Sequence, residues 1–228
     1  MFKIIIQTDD FIIINKPHGV SVHKDNEDVG LTTAVAKQLG VSQVWLVHRL
    51  DKVTSGLLML ALNERAAATL SGLFAQHKIQ KTYLALSDCK PKKKQGLIIG
   101  DMEKARRGAW KLMKSRENPA ITRFHSECCE PNLRLFILQP QTGKTHQLRV
   151  AMKSLGSPIL GDELYGGTNG QNNPEIDRTY LHAYRLVFEY QGKPYDVRFA
   201  PHLMEKCGAF FARISVQTQI SQIDSKNA

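Results

Sequence analysis

Two polar islands interrupt otherwise apolar stretches of the chain, and they hold the residue types that chemistry requires. The first is His48-Arg49-Leu50-Asp51 followed by Thr54-Ser55-Gly56; the second is Gly143-Lys144-Thr145-His146-Gln147-Leu148-Arg149. Buried or half-buried charge is costly unless paired, so Arg49, Asp51 and Arg149, in positions flanking the core, need partners. On pattern alone a structural salt bridge and a catalytic carboxylate stand level. Other chemistries fail on spacing. Thr142-Gly143-Lys144-Thr145 is similar to the end of a phosphate-binding loop, but the required glycine five residues before Gly143 is Leu138. Ser55 with His48 suggests a nucleophilic pair, yet no GxSxG elbow surrounds Ser55. Asp51 could be half of a glycosidase carboxylate pair, but no second acid stands in an equally apolar setting.

The elements that must position these islands can be read from periodicity. Phe2 to Gln7 and Phe11 to Asn15 read as short strands around the Thr8-Asp9-Asp10 turn, and Val44 to Val47 and Leu57 to Leu62 as strands on either side of the first island. A helix is expected from Thr32 to Gly40. Another follows the N-cap Asn63, with Ala67, Leu70, Leu73 and Phe74 on one face. Lys81 to Leu86 returns to a strand pattern. Ile121 to Cys128 and Leu133 to Leu138 form a hairpin near Pro131-Asn132, and Pro140 to Lys144 is a loop. Leu148, Ala151, Met152 and Leu155 then give helical spacing ended by Gly156. Asn169 to Pro174 is a polar loop. Leu181 to Tyr190 and Tyr195 to Phe199 make a last hairpin, and Pro201 opens a short helix. Strands outnumber helices and short turns join them, which predicts an α+β fold with a mixed, mainly antiparallel sheet and flanking helices. One domain is expected over residues 1–213, with a basic insertion around 88–120 and a disordered polar tail over 214–228.

Charge and composition bound the partners. The chain has 228 residues, Lys+Arg 31 against Asp+Glu 21, a net charge of +10 and 42% hydrophobic residues, which describes a folded basic protein. Nucleic acid or an anionic membrane surface is the natural partner of such an excess. Its placement is uneven: Lys78 to Arg116 holds twelve basic and three acidic residues, or +9 of the +10. A solvated face or mobile loop is the plainer reading of such a run. Ile4 to Ile6 is cut off by Asp9 and Asp10, so no signal peptide is expected, and Leu57 to Leu62 is far short of the ~20 residues that span a bilayer. Cys89, Cys128, Cys129 and Cys207 form no CxxC pair, which predicts reduced structural thiols in a cytoplasmic protein. The histidines show neither HxxxH nor HxH spacing, so no zinc site is expected.

Five blocks carry a family resemblance. HRLDKVTSGLLMLA (His48 to Ala61) resembles the signature of the RluA-type pseudouridine synthases, in which HRLD and two variable residues precede TSG and an apolar strand. NKPHGVSVH (Asn15 to His23) resembles that family's first motif and KTYLAL (Lys81 to Leu86) its tyrosine-bearing strand. TGKTHQLRV (Thr142 to Val150), continued by GSPILGDELYG (Gly156 to Gly166), and LHAYRLVF (Leu181 to Phe188) follow in family order. Lys144 stands where arginine is more usual, and Ala151 replaces a common histidine. The family's frequent N-terminal RNA-binding appendage of the S4 type is expected to be absent, since the first motif begins by Asn15.

The resemblance implies a pseudouridine synthase fold with a central active-site cleft. The implied activity is isomerisation of uridine in ribosomal or transfer RNA, so that C5 of uracil replaces N1 on the ribose. It makes Asp51 the essential carboxylate, acting on the ribose or base as nucleophile or by taking a ribose proton to give a glycal. Tyr83 offers a flat face for the base and a hydroxyl, and Arg149 can hold Asp51 ionised. Without the motif around it, Tyr83 reads as a core aromatic. Arg49 is assigned to extrusion of the target base, which costs a few kcal/mol. His48 is the structural hydrogen-bonding neighbour in the RNA-facing set with Lys144, His146 and Gln147. Lys92, Lys93, Lys94, Arg106 and Arg107 are the insertion's candidate RNA contacts, from charge placement alone. No cofactor, metal, membrane or obligatory protein partner is expected, and a monomer is. The competing reading is a non-catalytic RNA-binding or ribosome-assembly protein.

Overall fold

A computed structural model of the chain describes residues 2–22, 30–166 and 173–226; His23, from the first motif, and most of the Asn169–Pro174 loop lie outside them. Along the chain run β1 (Lys3–Gln7), β2 (Phe11–Lys16), α1 (Leu31–Leu39), β3 (Trp45–Leu46), β4 (Ser55–Ala61), α2 (Glu64–Ala75) and β5 (Gln80–Ser87). Then come β6 (Gln95–Gly100), β7 (Met102–Lys104), β8 (Trp110–Leu112), β9 (Ala120–Glu130), β10 (Leu133–Pro140), α3 (Gln147–Ser154), β11 (Leu181–Tyr190), β12 (Lys193–Arg198) and α4 (Ile214–Lys226). The chain divides into two compact units, Met1–Gln80 with His182–Phe199 and Lys81–Leu181 with Ala200–Ala228.

In the first unit the unbroken apolar runs become interior strands. Every residue of β2 and β4 is buried, as expected of strands covered on both faces. β2 pairs antiparallel with β1 and with β4, where Phe11 faces Ala61 and Lys16 faces Gly56. β4 pairs in parallel with β11 at Ser55 and Gly56, and β11 turns back antiparallel into β12. Phe11 meets Phe188, Tyr190 and Tyr195 edge-on at centroid distances of 5.8, 5.4 and 5.3 Å. Asn63 caps α2 as expected, its Oδ1 accepting the Ala66 N–H at 2.9 Å while its Nδ2 donates to Asp10.

The second unit is antiparallel where it is sheet, with β5, β10, β9 and β6 side by side in that order. The stripe Leu148, Ala151 and Met152 of α3 packs against Ala85, Phe124, Phe136 and Leu138. The basic insertion folds into β6 and a separate small hairpin of β7 and β8, turning at Arg107 (φ 56°) and Gly108 (φ 74°). The disordered tail expected from residue 214 is corrected to a helix over Ile214–Lys226. Two apolar residues one turn apart suffice to dock it, since Val216 and Ile220 are buried. Arg213, just before the helix, pairs with Glu130 at 2.8 Å and Glu175 at 3.0 Å. Among the described residues no helix is long and apolar enough to cross a membrane.

Candidate active site

The first island lies on the loop between β3 and β4. Leu50 is buried, so its neighbours on either side are turned toward the surface: Arg49 is exposed and Asp51 half-buried. Thr54 N–H donates to the Asp51 carbonyl at 3.0 Å, closing the loop after the carboxylate. His48 accepts the Met59 N–H on Nε2 at 2.9 Å and stacks on Phe74 at 4.2 Å. That bond requires Nε2 to be unprotonated, so His48 fastens the loop to β4 and α2 through a neutral ring.

Lys16, fully buried, holds the other side of this loop. Its ammonium donates to the carbonyls of Pro17 (3.0 Å), Val20 (2.7 Å) and Lys52 (3.3 Å), and Gly19 N–H donates to Lys52 as well. Three carbonyl acceptors offset the desolvation of a buried charge. The TSG segment also has a fixed partner. His182 reaches the Phe199 carbonyl through Nε2 at 2.8 Å and Ser55 Oγ through Nδ1 at 2.9 Å. A carbonyl only accepts, so Nε2 carries a proton, and in the neutral ring Nδ1 accepts from Ser55. Gly56 has φ 107°, and a Cβ there would lie 2.3 Å from the Ala183 oxygen, so only glycine fits. In the sequence Lys16 and His182 stand inside larger motifs. Their signal was polarity inside apolar strands.

The second unit holds the remaining site residues. Tyr83 is half-buried on β5, opposite Leu138 and against the core. Gln147 lies inside the protein, away from the solvent-facing place expected of an RNA contact. Its Oε1 accepts from Thr142 Oγ1 (2.8 Å) and Lys144 N–H (2.9 Å), while its Nε2 donates to the Ile121 carbonyl and Thr122 Oγ1. The side chain thus shapes the Thr142–His146 loop. Lys144 donates from Nζ to Asn118, and His146 sits at the start of α3 in the left-handed region (φ 56°), its Nδ1 2.9 Å from the Tyr165 hydroxyl.

Arg149 is buried in a bidentate pair that the islands did not reveal. Its Nε and Nη2 donate to Asp162 at 2.7 and 2.8 Å, with side-chain exposures of 8% and 0%. Asp162 Oδ1 also accepts the N–H groups of Leu164 and Tyr165 at 3.1 Å, and the Arg149 guanidinium lies 4.9 Å above the Tyr165 ring. Forked geometry and full desolvation make this a rigid mount for the guanidinium. The pattern required a partner for Arg149; the GDELYG block supplies it.

The insertion's cations fall into two groups. Lys92, Lys93 and Lys94 are exposed just before β6, near Ser126, which donates to the Lys94 carbonyl at 2.8 Å. Arg106 and Arg107 are exposed at the β7–β8 turn beyond the other end of β6, roughly 20 Å away at about 3.3 Å per strand residue. The hairpin that carries the second group joins the Arg149 block through the Trp110 N–H, which donates to the Tyr165 hydroxyl at 2.9 Å.

Known proteins are similar to this chain in sequence and in fold. The RNA pseudouridylate synthase family profile matches residues 10–154, more than half of the chain. An RNA pseudouridine synthase of Haemophilus influenzae is 65% identical over 218 residues, covering 96% of this chain and 94% of that one. A ribosomal large subunit pseudouridine synthase C of Rickettsia bellii is 37% identical over 191 residues, covering 81% of this chain and 62% of its own length. Among solved structures, human RNA pseudouridylate synthase domain containing 1 superposes with a TM-score of 0.75 at 26% identity, over 92% of this chain and 88% of that one. The family match takes in the loop that carries Asp51, the strand of Tyr83 and the helix of Arg149, and the chain therefore belongs to the RNA pseudouridylate synthase family.

Proposed function

We propose that the protein isomerises uridine to pseudouridine in ribosomal or transfer RNA, with Asp51 as the essential carboxylate. The observation that carries this reading is the half-buried Asp51 on a loop fixed at both ends. His48 and Lys16 hold its start and middle, and Ser55 with Gly56 hold its end. A carboxylate so fixed can meet the same atom of each substrate, which is what positioned catalysis requires.

The reaction breaks the N1–C1′ bond of the uridine, turns the uracil in place and joins C5 to C1′; C5 gives up its proton and N1 gains one, so the product is an isomer of the substrate. Tyr83 presents a ring face for the base and a hydroxyl near the proton to be moved. Arg149, mounted on Asp162 through Nε and Nη2, supplies positive charge to the reaction. Arg49, exposed beside Asp51 on the same loop, occupies the space of the extruded base. Lys144, His146, Arg106, Arg107 and Lys92 to Lys94 contact the RNA backbone, which conveys grip rather than choice of uridine. The protein works in the cytoplasm as a monomer without a cofactor.

Replacement of Asp51 by Asn tests the reading: isomerisation is lost while RNA binding survives. Binding with a steep salt slope and no pseudouridine made by the unaltered protein would favour the non-catalytic alternative instead.

A further inference from the structure

The hydroxyl of Tyr165 sits where three parts of the second unit meet. It accepts the Trp110 N–H at 2.9 Å and lies 2.9 Å from Nδ1 of His146. The imidazole nitrogen is a second partner of the same hydroxyl, in a bond whose direction follows the His146 tautomer. The ring of the same tyrosine underlies the Arg149 guanidinium, and its N–H donates to Asp162, the partner of Arg149. Tyr165 is 2% exposed, so no part of it is a surface contact.

The hairpin is built to make this bond. Ala105 N–H donates to the Ala109 carbonyl at 2.7 Å, so the next pair, Lys104 with Trp110, is a non-hydrogen-bonded one. The Trp110 N–H therefore points away from β7, and Tyr165 takes it. Lys104, Arg106, Arg107 and Lys111 lie on this hairpin or its turn, Lys111 paired with Glu103 at 3.2 Å. A phosphate chain drawn to these cations would load the strand that Tyr165 holds.

We propose that Tyr165 is a positioning residue that couples RNA seated on the β7–β8 hairpin to the aim of the Arg149 guanidinium. This rests on the proposed function, in which Arg149 serves the reaction. RNA on the hairpin selects the arrangement in which the hydroxyl bonds both Trp110 and His146, and that arrangement sets the ring and the Asp162 turn beneath Arg149. Tyr165 touches no substrate; it acts through Arg149.

The test uses the full chain and total RNA from cells lacking the gene, and reads single-turnover conversion together with RNA affinity. Tyr165→Phe keeps the ring and deletes two hydrogen bonds, so conversion slows by about tenfold while affinity stays within about twofold. In a background with Lys104, Arg106 and Arg107 changed to Gln, the same substitution slows conversion further by less than about twofold, because the coupled element is already released. Trp110→Pro removes the bond from the other side, at an N–H outside the strand ladder, and must reproduce the pattern even where Tyr165→Phe folds poorly. Equal slowing in both backgrounds, an unchanged rate, or a loss of affinity alone overturns the coupling. If the unaltered protein converts no uridine in that RNA, the proposed function falls as well; if it is active and Tyr165→Phe matches it, only the coupling falls.

Discussion

Asp162→Asn is the substitution whose cost the structure fixes best. The pair it breaks is bidentate, 2.7 and 2.8 Å, with side chains 8% and 0% exposed. Asparagine offers one oxygen. Placed at the Oδ1 position it keeps the Leu164 and Tyr165 N–H bonds and the Nη2 bond, and sets an NH2 group against the Arg149 Nε–H. Removing one partner of a buried pair costs about 3–5 kcal/mol, and the bonds retained put this variant near 3. At roughly 2–4 °C per kcal/mol for a chain of this size, the melting temperature falls by about 6–12 °C. The loss is nearly the same at low and high salt, because a buried pair is little screened. Thermal and urea unfolding at two salt concentrations measure it. As a control, Arg149→Met combined with Asp162→Leu replaces the pair by apolar contact and recovers much of the stability, while isomerisation stays lost. An Asp162→Asn protein that melts within about 2 °C of the unaltered one would refute this energetic reading of the mount.

Three further outcomes are expected. Gly56→Ala places a Cβ 2.3 Å from the Ala183 oxygen at φ 107°, and a thermal melt should register a loss of at least ~3 kcal/mol together with lost activity. Asp196 is held well below the usual carboxylate range, first by hydrogen bonds from Arg185 and then by Arg198. Its folded value lies below its unfolded one, so its stabilisation is present above the unfolded value and fades as pH falls through the folded one. Asp196→Asn, at a side chain 40% exposed, lowers stability near neutral pH by about 0.5–1 kcal/mol and by less near pH 3 in urea melts; a cost that grows in acid contradicts the sign. Changing Lys92, Lys93 and Lys94 to Gln lowers the slope of log affinity against log salt by about 2–3, and an unchanged slope removes these residues from the RNA-binding set.

Much of the scaffold was legible because its signals are local. The run Leu57–Leu62 reads as a strand, and the strand observed spans Ser55–Ala61, buried throughout. Asn63 before the Ala67–Leu70 stripe reads as a cap and makes the bond. What resisted reading were relations between distant residues. That Arg149 needed a partner followed from the cost of buried charge; that it is Asp162 depends on a turn at Gly161, where φ is 74° and a Cβ would collide with the Arg178 oxygen. Lys16 and His182 were hidden because their acceptors are backbone carbonyls, which carry no residue label. The tail misled by composition: its polar residues outnumber Val216 and Ile220, yet those two reach the core. The β7–β8 hairpin was masked by the glycines around it, although one of them, Gly108, is what turns it.

The central claim is that Asp51 carries out uridine isomerisation. Its most direct measurement maps pseudouridines across total RNA from three strains: one lacking the gene, one restored with the unaltered chain and one restored with Asp51→Asn. The account predicts at least one site that is lost without the gene and regained with the unaltered chain. That site stays uridine with Asp51→Asn, although the variant still binds RNA. A site regained with Asp51→Asn, or no site that depends on the gene, would contradict it.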